Sequence, residues 1–239
     1  MISFFSGVAL AEEKKDCSSI KADTEEDVIN AAILCLGRWY YLLRGGKPTE
    51  LSEEEQKGLI GELLILERYF LKFFPAIDAV QAWTGPKRKP KDFLIHKTGV
   101  ECKAHRDAKD PHIVLTSEHQ LDTSDVDSLT LSVLTLDRSE SADYGAFTLT
   151  EVAERIYKEI ESTDIEARNK FQNLLYMTGF LWKHDYTGYQ WTEKDTVFYS
   201  VSEKFPRITP DSYIEGVSKV RYRVSLDSIP PGCFATESE

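Results

Sequence analysis

Residues 83–103 read Trp-Thr-Gly-Pro-Lys-Arg-Lys-Pro-Lys-Asp-Phe-Leu-Ile-His-Lys-Thr-Gly-Val-Glu-Cys-Lys, and this stretch decides the fold that the sequence predicts. A short apolar run follows Asp92, residues 97–99 favour a turn, and the chain then resumes toward Glu101 and Lys103. Two short runs separated by a glycine-containing turn are typical of a β-hairpin. The stretch therefore predicts a hairpin that carries two carboxylates and one ammonium group.

The faces of this hairpin follow from strand geometry. Successive side chains alternate, so Glu101 and Lys103 share one face and Cys102 points to the other. With a two-residue turn at Lys97-Thr98, Asp92 lies opposite Lys103. Any even-numbered turn keeps Asp92 on the face of Glu101 and Lys103. An odd-numbered turn places it on the opposite face unless a bulge restores the parity.

A third carboxylate lies within a long helix that we predict over residues 52–74. The helix begins with a Ser-Glu-Glu-Glu capping box and is apolar on nearly every side, which is typical of a buried helix. Glu62 lies in its middle, where a carboxylate is costly unless it is paired or bound to a metal. Gly61 lowers helix propensity by about 1 kcal/mol, which indicates a close packing contact. The alternative for Glu62 is an ordinary salt bridge with Arg68 or Lys57.

The charge of the chain is unevenly distributed. A net charge of −11 is not typical of a protein that adheres to DNA. Eight basic and three acidic residues give the segment 81–109 a charge of +5, so the rest of the chain carries −16. A basic rim around an acidic pocket favours the approach of a phosphodiester, whereas a solvated loop is the alternative. The predicted DNA contacts are Lys87, Arg88, Lys89, Lys91, Arg106 and Arg207.

The remaining periodicities predict a mixed sheet with helices on its faces. The predicted helices cover residues 24–43, 52–74, 149–161 and 164–178, and the predicted strands cover 79–83, 92–96, 99–104, 113–117, 129–136, 197–201 and 217–224. Residues 129–136 alternate between leucine or valine and hydroxyl side chains, so one face of that strand is expected to be buried.

Composition favours a cytoplasmic protein. No run of about 18 apolar residues predicts a membrane span. Residues 1–11 end in an Ala-x-Ala-like site but lack a basic region, so we do not interpret them as a signal peptide. The four cysteines, Cys17, Cys35, Cys102 and Cys233, are widely scattered and show neither a disulfide framework nor zinc spacing.

Several short motifs occur together in an order that resembles a known protein family. They are Gly58-Leu-Ile-Gly-Glu-Leu63, Ala82-Trp-Thr-Gly-Pro86, Asp92-Phe93, Glu101-Cys-Lys103, Ser117-Glu-His-Gln-Leu121 and Phe205-Pro-Arg-Ile208. Over about residues 26–227 the chain resembles the PD-(D/E)XK motif protein family, long catalogued as a domain of unknown function. Lys91-Asp92 stands where the superfamily name has Pro-Asp, and Cys102 stands where relatives often have Val.

The resemblance implies an α/β fold with a restriction-endonuclease-like core, in which α-helices flank a mixed β-sheet. It also implies an extra N-terminal helix and C-terminal strands. Relatives tend to carry a further N-terminal β-rich region. We therefore expect residues 1–23 to be an extension that is disordered or a remnant of that region. Residues 24–228 are expected to form the nuclease-like domain, and residues 229–239 a C-terminal tail.

The resemblance also implies the roles of the site residues. Asp92, Glu101 and the backbone carbonyl of Cys102 would hold Mg²⁺, with Mn²⁺ as a substitute, because such ions prefer oxygen ligands. Glu62 would reach the ion directly or through water, or anchor a second ion. Lys103 would orient the attacking water and offset charge on the phosphate. Gln120 would support the site or contact a phosphate, and a local helix-start hydrogen bond is its alternative.

Such a site implies a Mg²⁺-dependent DNA endonuclease, similar to type II restriction enzymes and acting in bacterial restriction–modification or phage defence. Two alternatives stay open: a catalytically idle DNA-binding or assembly protein on the same fold, and a structure-specific nuclease such as a junction resolvase. The expected partners are DNA, a second copy of the chain, and a methyltransferase, helicase or ATPase from the same operon. A homodimer is expected because each site cuts one strand.

Overall fold

The computed structural model describes residues 50–139 and 145–235, together with residues 32, 35 and 36. The helix predicted over residues 24–43 and the extension predicted over 1–23 therefore lie wholly or largely outside the described residues. Cys35 is disulfide-bonded, whereas Cys102 and Cys233 are free and buried. The scattered cysteines did not predict this bond, because sequence spacing does not report which side chains meet in space.

Three of the four main helices in the described residues begin at a residue whose side chain caps them. The four helices are α1 (Glu53–Ile65), α2 (Ala76–Ala82), α3 (Leu149–Glu161) and α4 (Ile165–Met177), and α1 continues through a π-helical turn (Leu66–Phe70) and a short helical segment (Leu71–Phe73). Ser52, Thr148 and Asp164 each accept the amide of the third residue of α1, α3 and α4. In the described part of the chain, no helix combines the length and apolar character that crossing a membrane requires.

The strand predicted over residues 79–83 is wrong, because this segment forms α2. Short apolar runs do not distinguish a strand from a buried helix. Pro75 sets the start of the helix, and Ala79 and Ala82, three residues apart, are both buried. Only Trp83, just after the helix, keeps strand character, through an isolated antiparallel bridge to Phe93.

In residues 50–139 and 145–235, six strands form two separate sheets. They are β1 (Phe93–Ile95), β2 (Thr98–His105), β3 (His112–Leu115), β4 (Ser128–Ser139), β5 (Gln190–Ser200) and β6 (Tyr222–Ser225). The main sheet has the order β1-β2-β4-β5, and β3 pairs with β6 in a second, antiparallel sheet. Strands β2 and β4 run parallel, whereas β1 with β2 and β4 with β5 run antiparallel. The predicted mixed sheet is therefore confirmed.

The two late strands differ from their predicted bounds. Strand β5 begins at Gln190, seven residues earlier than predicted, because its polar first half hides the alternation that identifies strands. Strand β6 begins only at Tyr222. Lys219 takes a positive φ of 58°, which interrupts extended backbone within the predicted strand over 217–224, and Gly216 takes one of 94° just before it.

The main sheet lies between two apolar cores. Strand β4 shows how, because Leu134 and Leu136 face the helices while Leu129, Leu131 and Val133 face the β3–β6 sheet. The helix-side core also holds Ile156 of α3 and Phe171 of α4, both fully buried. Helices thus cover one face of the main sheet, and the β3–β6 sheet covers the other. Strand β1 lies at one edge of the main sheet.

Candidate active site

The β1–β2 hairpin has the even turn that a shared face requires. Its two turn residues are His96 and Lys97, because Ile95 pairs with Thr98. The predicted turn at Lys97-Thr98 is wrong by one residue. His96 takes the left-handed conformation with φ 47°. Gly99, which suggested the turn, serves packing instead: an added Cβ would lie 3.1 Å from the Leu129 side chain.

This register places Asp92 opposite Glu101 rather than opposite Lys103, because Phe93 pairs with Val100. The turn still has an even number of residues. The register therefore keeps Asp92 on the side of the sheet that carries Glu101 and Lys103, as predicted. The Asp92 carboxylate itself accepts the amide of Cys102 through Oδ2 at 2.8 Å. This hydrogen bond fixes the Asp92 carboxylate just before β1, the edge strand of the main sheet.

The loop before β1 closes on the backbone of Asp92. The Asp92 carbonyl oxygen accepts the amides of Thr84 and Gly85 at 2.7 and 2.9 Å. The hydroxyl of Thr84 also donates to the carbonyl of Lys91 at 2.8 Å. These bonds join both ends of the loop, so the position of Asp92 is set by backbone contacts and does not depend on its own side chain.

Glu62 and Asp92 meet at Gly85. An added Cβ at Gly85 would lie 2.7 Å from Glu62 Oε2 and 3.0 Å from Asp92 Oδ1, so a larger residue would displace both carboxylates. The buried indole of Trp83 donates to Glu62 Oε2 at 2.6 Å. Trp83 and Gly85 lay in a motif of the sequence, but their roles were not predicted. The signal was an indole N–H donor two residues before a Gly-Pro pair.

The surroundings of Glu62 exclude the two salt bridges that were its alternative. Arg68 pairs with Glu193 at 2.6 Å and Lys57 pairs with Glu54 at 2.8 Å, so neither forms the ordinary salt bridge with Glu62. The close packing predicted at Gly61 is confirmed, because an added Cβ there would lie 3.4 Å from the Cβ of Ala104. This contact brings α1 against β2.

Glu101, Lys103 and Gln120 form a second group of contacts. Glu101 Oε1 accepts from Lys103 Nζ at 2.6 Å and from Gln120 Nε2 at 2.5 Å. The Gln120 carbonyl oxygen accepts the amides of Thr116 and Ser117 at 2.7 and 3.2 Å, which orients its amide toward Glu101. Gln120 therefore makes both the local hydrogen bonds that were its alternative role and the hydrogen bond to Glu101. Glu101 Oε2 is buried and has no hydrogen-bond partner among the described residues.

The three carboxyl groups of the site have raised pKa values. Burial raises the pKa of Glu62 well above its usual range, and the charge of Asp92 adds to this shift. Burial also raises the pKa of Asp92. Burial, together with the Asp92 charge, raises the pKa of Glu101 to about 8. Burial alone would lower the pKa of Lys103, but Glu101 and Asp92 outweigh it, so the net shift is upward. One cation thus faces three carboxyl groups.

The two groups of contacts come from opposite layers. Glu62 belongs to the helix layer, whereas Glu101 and Lys103 pair with Leu131 and Val133 of the other core. Accordingly, within residues 50–139 and 145–235 no three His, Cys, Asp or Glu side chains stand close enough together to hold a metal ion. Asp92 connects the layers electrostatically, because its charge raises the pKa of both Glu62 and Glu101.

The residues present nevertheless fit a hard divalent cation in their chemistry. The atoms that could bind the ion are carboxylate oxygens, the ligands that Mg²⁺ prefers. The buried Oε2 of Glu101 is an oxygen to which no group in the described residues donates a hydrogen bond. Clustered carboxylates with raised pKa values are relieved by an added positive charge. Glu62, Asp92 and Glu101 therefore suit the ion by their chemistry, although their present spacing does not form a complete set of ligands.

Three of the predicted DNA contacts bind other residues of the protein. Lys91 is buried and pairs with Asp125 at 2.5 Å, so it does not lie on an exposed rim. Arg207 donates to the carbonyl of Leu121 at 2.6 Å and to the Thr123 hydroxyl, which makes it a link between two loops. Arg106 is exposed but pairs with Glu53 of α1.

The ion pairs of Lys91 and Arg106 have a common physical reason. A basic residue in the sequence does not show whether an acidic partner lies nearby, and Asp125 and Glu53 are distant in the chain from the residues they pair with. Lys87, Arg88 and Lys89 occupy the 3₁₀ turn Gly85–Lys87 and the residues that follow it, beside the carboxylates. Among the predicted DNA contacts, these three residues have positions that suit a basic rim around the carboxylates.

Comparison with known proteins adds the family. The model of the family described as "Putative PD-(D/E)XK family member" (DUF4420) matches residues 17–227. No curated protein and no solved structure matches the chain. The mixed four-stranded sheet flanked by helices agrees with the restriction-endonuclease-like fold of PD-(D/E)XK proteins. The chain therefore belongs to the DUF4420 family of PD-(D/E)XK proteins and has a nuclease-like fold.

Proposed function

We propose that this protein is a Mg²⁺-dependent DNA endonuclease that works in the cytoplasm in restriction–modification or phage defence. The observation that carries the proposal is Glu101. This glutamate is fully buried, Lys103 and Gln120 hold one of its oxygens, and the other oxygen lacks a partner among the described residues. A purely structural glutamate would have both oxygens satisfied, because an unpaired buried acceptor costs about 1–3 kcal/mol.

Each residue has a distinct role in this proposal. Glu62, Asp92, Glu101 and the backbone carbonyl of Cys102 would hold Mg²⁺, or Mn²⁺ in its place. When bound, the ion supplies a Lewis acid that polarises the scissile phosphate and acidifies a water molecule. Trp83 would position Glu62 by occupying one carboxylate oxygen, which leaves the other for the ion.

Lys103 would act as a cation and hydrogen-bond donor. Its Nζ lies 2.6 Å from Glu101 Oε1 and carries further N–H groups that can point toward substrate. A fixed ammonium group stabilises negative charge that develops on a phosphate and orients the attacking water. Gln120 would keep Glu101 in place, because its amide is itself fixed by backbone amides of residues 116 and 117.

The test is cleavage of supercoiled and linear duplex DNA by the purified protein with Mg²⁺, Mn²⁺, Ca²⁺ or EDTA. The proposal predicts cleavage with Mg²⁺ or Mn²⁺, and its loss in Asp92→Ala and in Lys103→Ala with the fold intact by circular dichroism. Asp127→Ala is the matched control, because Asp127 is an exposed acid of the same region. Cleavage that survives in both site variants contradicts the proposal.

A second candidate is a nuclease-fold protein that binds DNA or assembles a defence complex without catalysis. The observation in its favour is that no three potential ligand side chains of the described residues form a ready metal site. Calorimetry separates the two functions. Uptake of Mg²⁺ or Mn²⁺ that disappears in Asp92→Ala favours the nuclease, whereas a folded protein that binds DNA and takes up neither ion favours the second candidate.

We further propose a homodimer that acts on both strands, with a methyltransferase, helicase or ATPase encoded nearby as a partner. Two-fold symmetry suits an enzyme that makes one cut in each strand of a duplex. Sedimentation with and without a two-fold symmetric duplex would test the oligomeric state. A monomer under both conditions would remove this part of the proposal without affecting the chemistry at Glu101.

A further inference from the structure

Lysines from two distant parts of the chain converge beside the carboxylates. Lys87 ends the 3₁₀ turn Gly85–Lys87, Lys89 follows it, and Lys170 lies on α4. Helix α4 contacts this turn. The ring of Trp83 also packs against Phe171, the neighbour of Lys170, with their centroids 5.9 Å apart. The packing of buried aromatic rings thus brings Lys170 to the loop that carries Lys87.

The positive charges of these lysines are not balanced within the described residues. Neighbouring cations are balanced: Arg168 pairs with Glu161 at 3.0 Å, and Lys91 pairs with Asp125. In the same part of the chain, Lys87, Lys89 and Lys170 form no ion pair with an acidic side chain.

Lys87 and Lys170 are also partly withdrawn from solvent. Burial lowers the pKa of Lys87, and the positive charges of Lys170 and then Lys89 lower it further. The fold therefore holds the positive charges of Lys87, Lys89 and Lys170 close together, which costs free energy. A bound anion would remove that cost.

The position of this cluster identifies the anion. Gly85, two residues before Lys87, is the residue against which the carboxylates of Glu62 and Asp92 lie. We propose that Lys87, Lys89 and Lys170 form a phosphate subsite that holds the DNA backbone next to the scissile bond. This inference rests on the proposed nuclease function for its substrate. It assigns to α4 a DNA contact that the sequence did not indicate.

Counterion release provides the test. Each phosphate neutralised on duplex DNA contributes about 0.9 to the slope of log K against log salt concentration. Removal of one contacting lysine should therefore lower that slope by about 0.9 and weaken binding roughly eightfold at 0.1 M salt. A lysine that only packs against its neighbours would leave the slope unchanged even if its loss changed stability.

The experiment measures fluorescence anisotropy of a labelled 30-base-pair duplex in EDTA, over a series of NaCl concentrations. The variants are Lys170→Gln and Lys87→Gln, and Lys158→Gln is the matched control. Lys158 is an exposed helical lysine that pairs with Glu154 at 3.2 Å. The subsite predicts a reduced slope for each of the first two variants and the wild-type slope for the control. Thermal melting verifies that every variant is folded.

The outcomes distinguish this inference from the proposed function. If the wild type cleaves DNA and Lys170→Gln and Lys87→Gln keep the wild-type slope and affinity, the subsite is wrong and the nuclease proposal stands. If the wild type binds the duplex with a slope that both variants reduce, the subsite stands, even if no cleavage occurs. A wild-type protein that does not bind the duplex overturns the subsite.

Discussion

Glu101→Gln tests the cost of the buried carboxyl group without adding a metal. Burial and the charge of Asp92 raise the pKa of Glu101 from 4.5 to about 8 in the folded protein. Its carboxyl group therefore keeps its proton in the folded state over a pH range in which the unfolded chain ionises. The resulting contribution to stability is complete below pH 4.5 and is lost as the pH rises toward 8.

The size of this effect follows from the shift. One pKa unit corresponds to about 1.4 kcal/mol, so the contribution of Glu101 changes by about 3 kcal/mol between pH 5 and pH 7. Glutamine has the same shape and does not titrate. The unfolding free energy of the variant, measured relative to that of the wild type, should therefore rise by about 3 kcal/mol across this interval. Glu62 and Asp92 shift in the same direction, so the variant keeps part of the pH dependence.

The assay is urea unfolding, followed by circular dichroism, at pH 5, 6, 7 and 8 in EDTA. Glu203→Gln is the control, because Glu203 is exposed. Added Mg²⁺ should stabilise the wild type more than Glu101→Gln, because a ligand that binds only the folded state adds to its stability. Parallel curves of unfolding free energy against pH for the wild type and Glu101→Gln would refute the reasoning.

Three other substitutions test how the site is positioned. Gly85→Ala places a Cβ 2.7 Å from Glu62 Oε2, so it should weaken Mg²⁺ binding by calorimetry; Gly58→Ala, which meets nothing within 4 Å, should instead stabilise the protein by about 1 kcal/mol. Trp83→Phe removes the bond to Glu62 and should weaken Mg²⁺ binding about tenfold, the equivalent of one hydrogen bond to a charged group, while unchanged affinity would contradict the positioning role. Lys91→Met breaks an ion pair at a buried lysine, so it should lower the melting temperature but leave the salt dependence of DNA binding unchanged; a reduced slope would return Lys91 to the DNA surface.

The sequence was most informative where one physical rule dominates. Helices α3 and α4 lie within one residue of their predicted bounds, because a capping side chain and a regular apolar stripe both mark them. The alternation of residues 129–136 predicted a strand with one buried face. Both faces are in fact covered, because β4 lies between the helices and the β3–β6 sheet. Leu134 and Leu136 pack on the helix side, whereas Leu129, Leu131 and Val133 pack on the other.

The sequence was less informative where distant residues meet. It indicated Glu62, Asp92, Glu101 and Lys103, but not that Glu62 and Glu101 approach from opposite layers. It could not indicate that Lys91 is buried against Asp125 either, because that partner lies 34 residues away. The one-residue error in the hairpin turn has a similar origin. Glycine is a common turn residue, yet Gly99 lies in β2, where an added Cβ would press against the Leu129 side chain of β4.

We propose that Asp92 and Glu101 hold one divalent cation beside Lys103. Anomalous diffraction from crystals soaked in Mn²⁺ would test it most directly. A peak bonded to oxygens of Asp92 and Glu101, and absent from crystals of Asp92→Ala, is the result that the account predicts. Well-ordered carboxylates with no anomalous peak between them, or a Mn²⁺ ion bound only elsewhere on the protein, would contradict it.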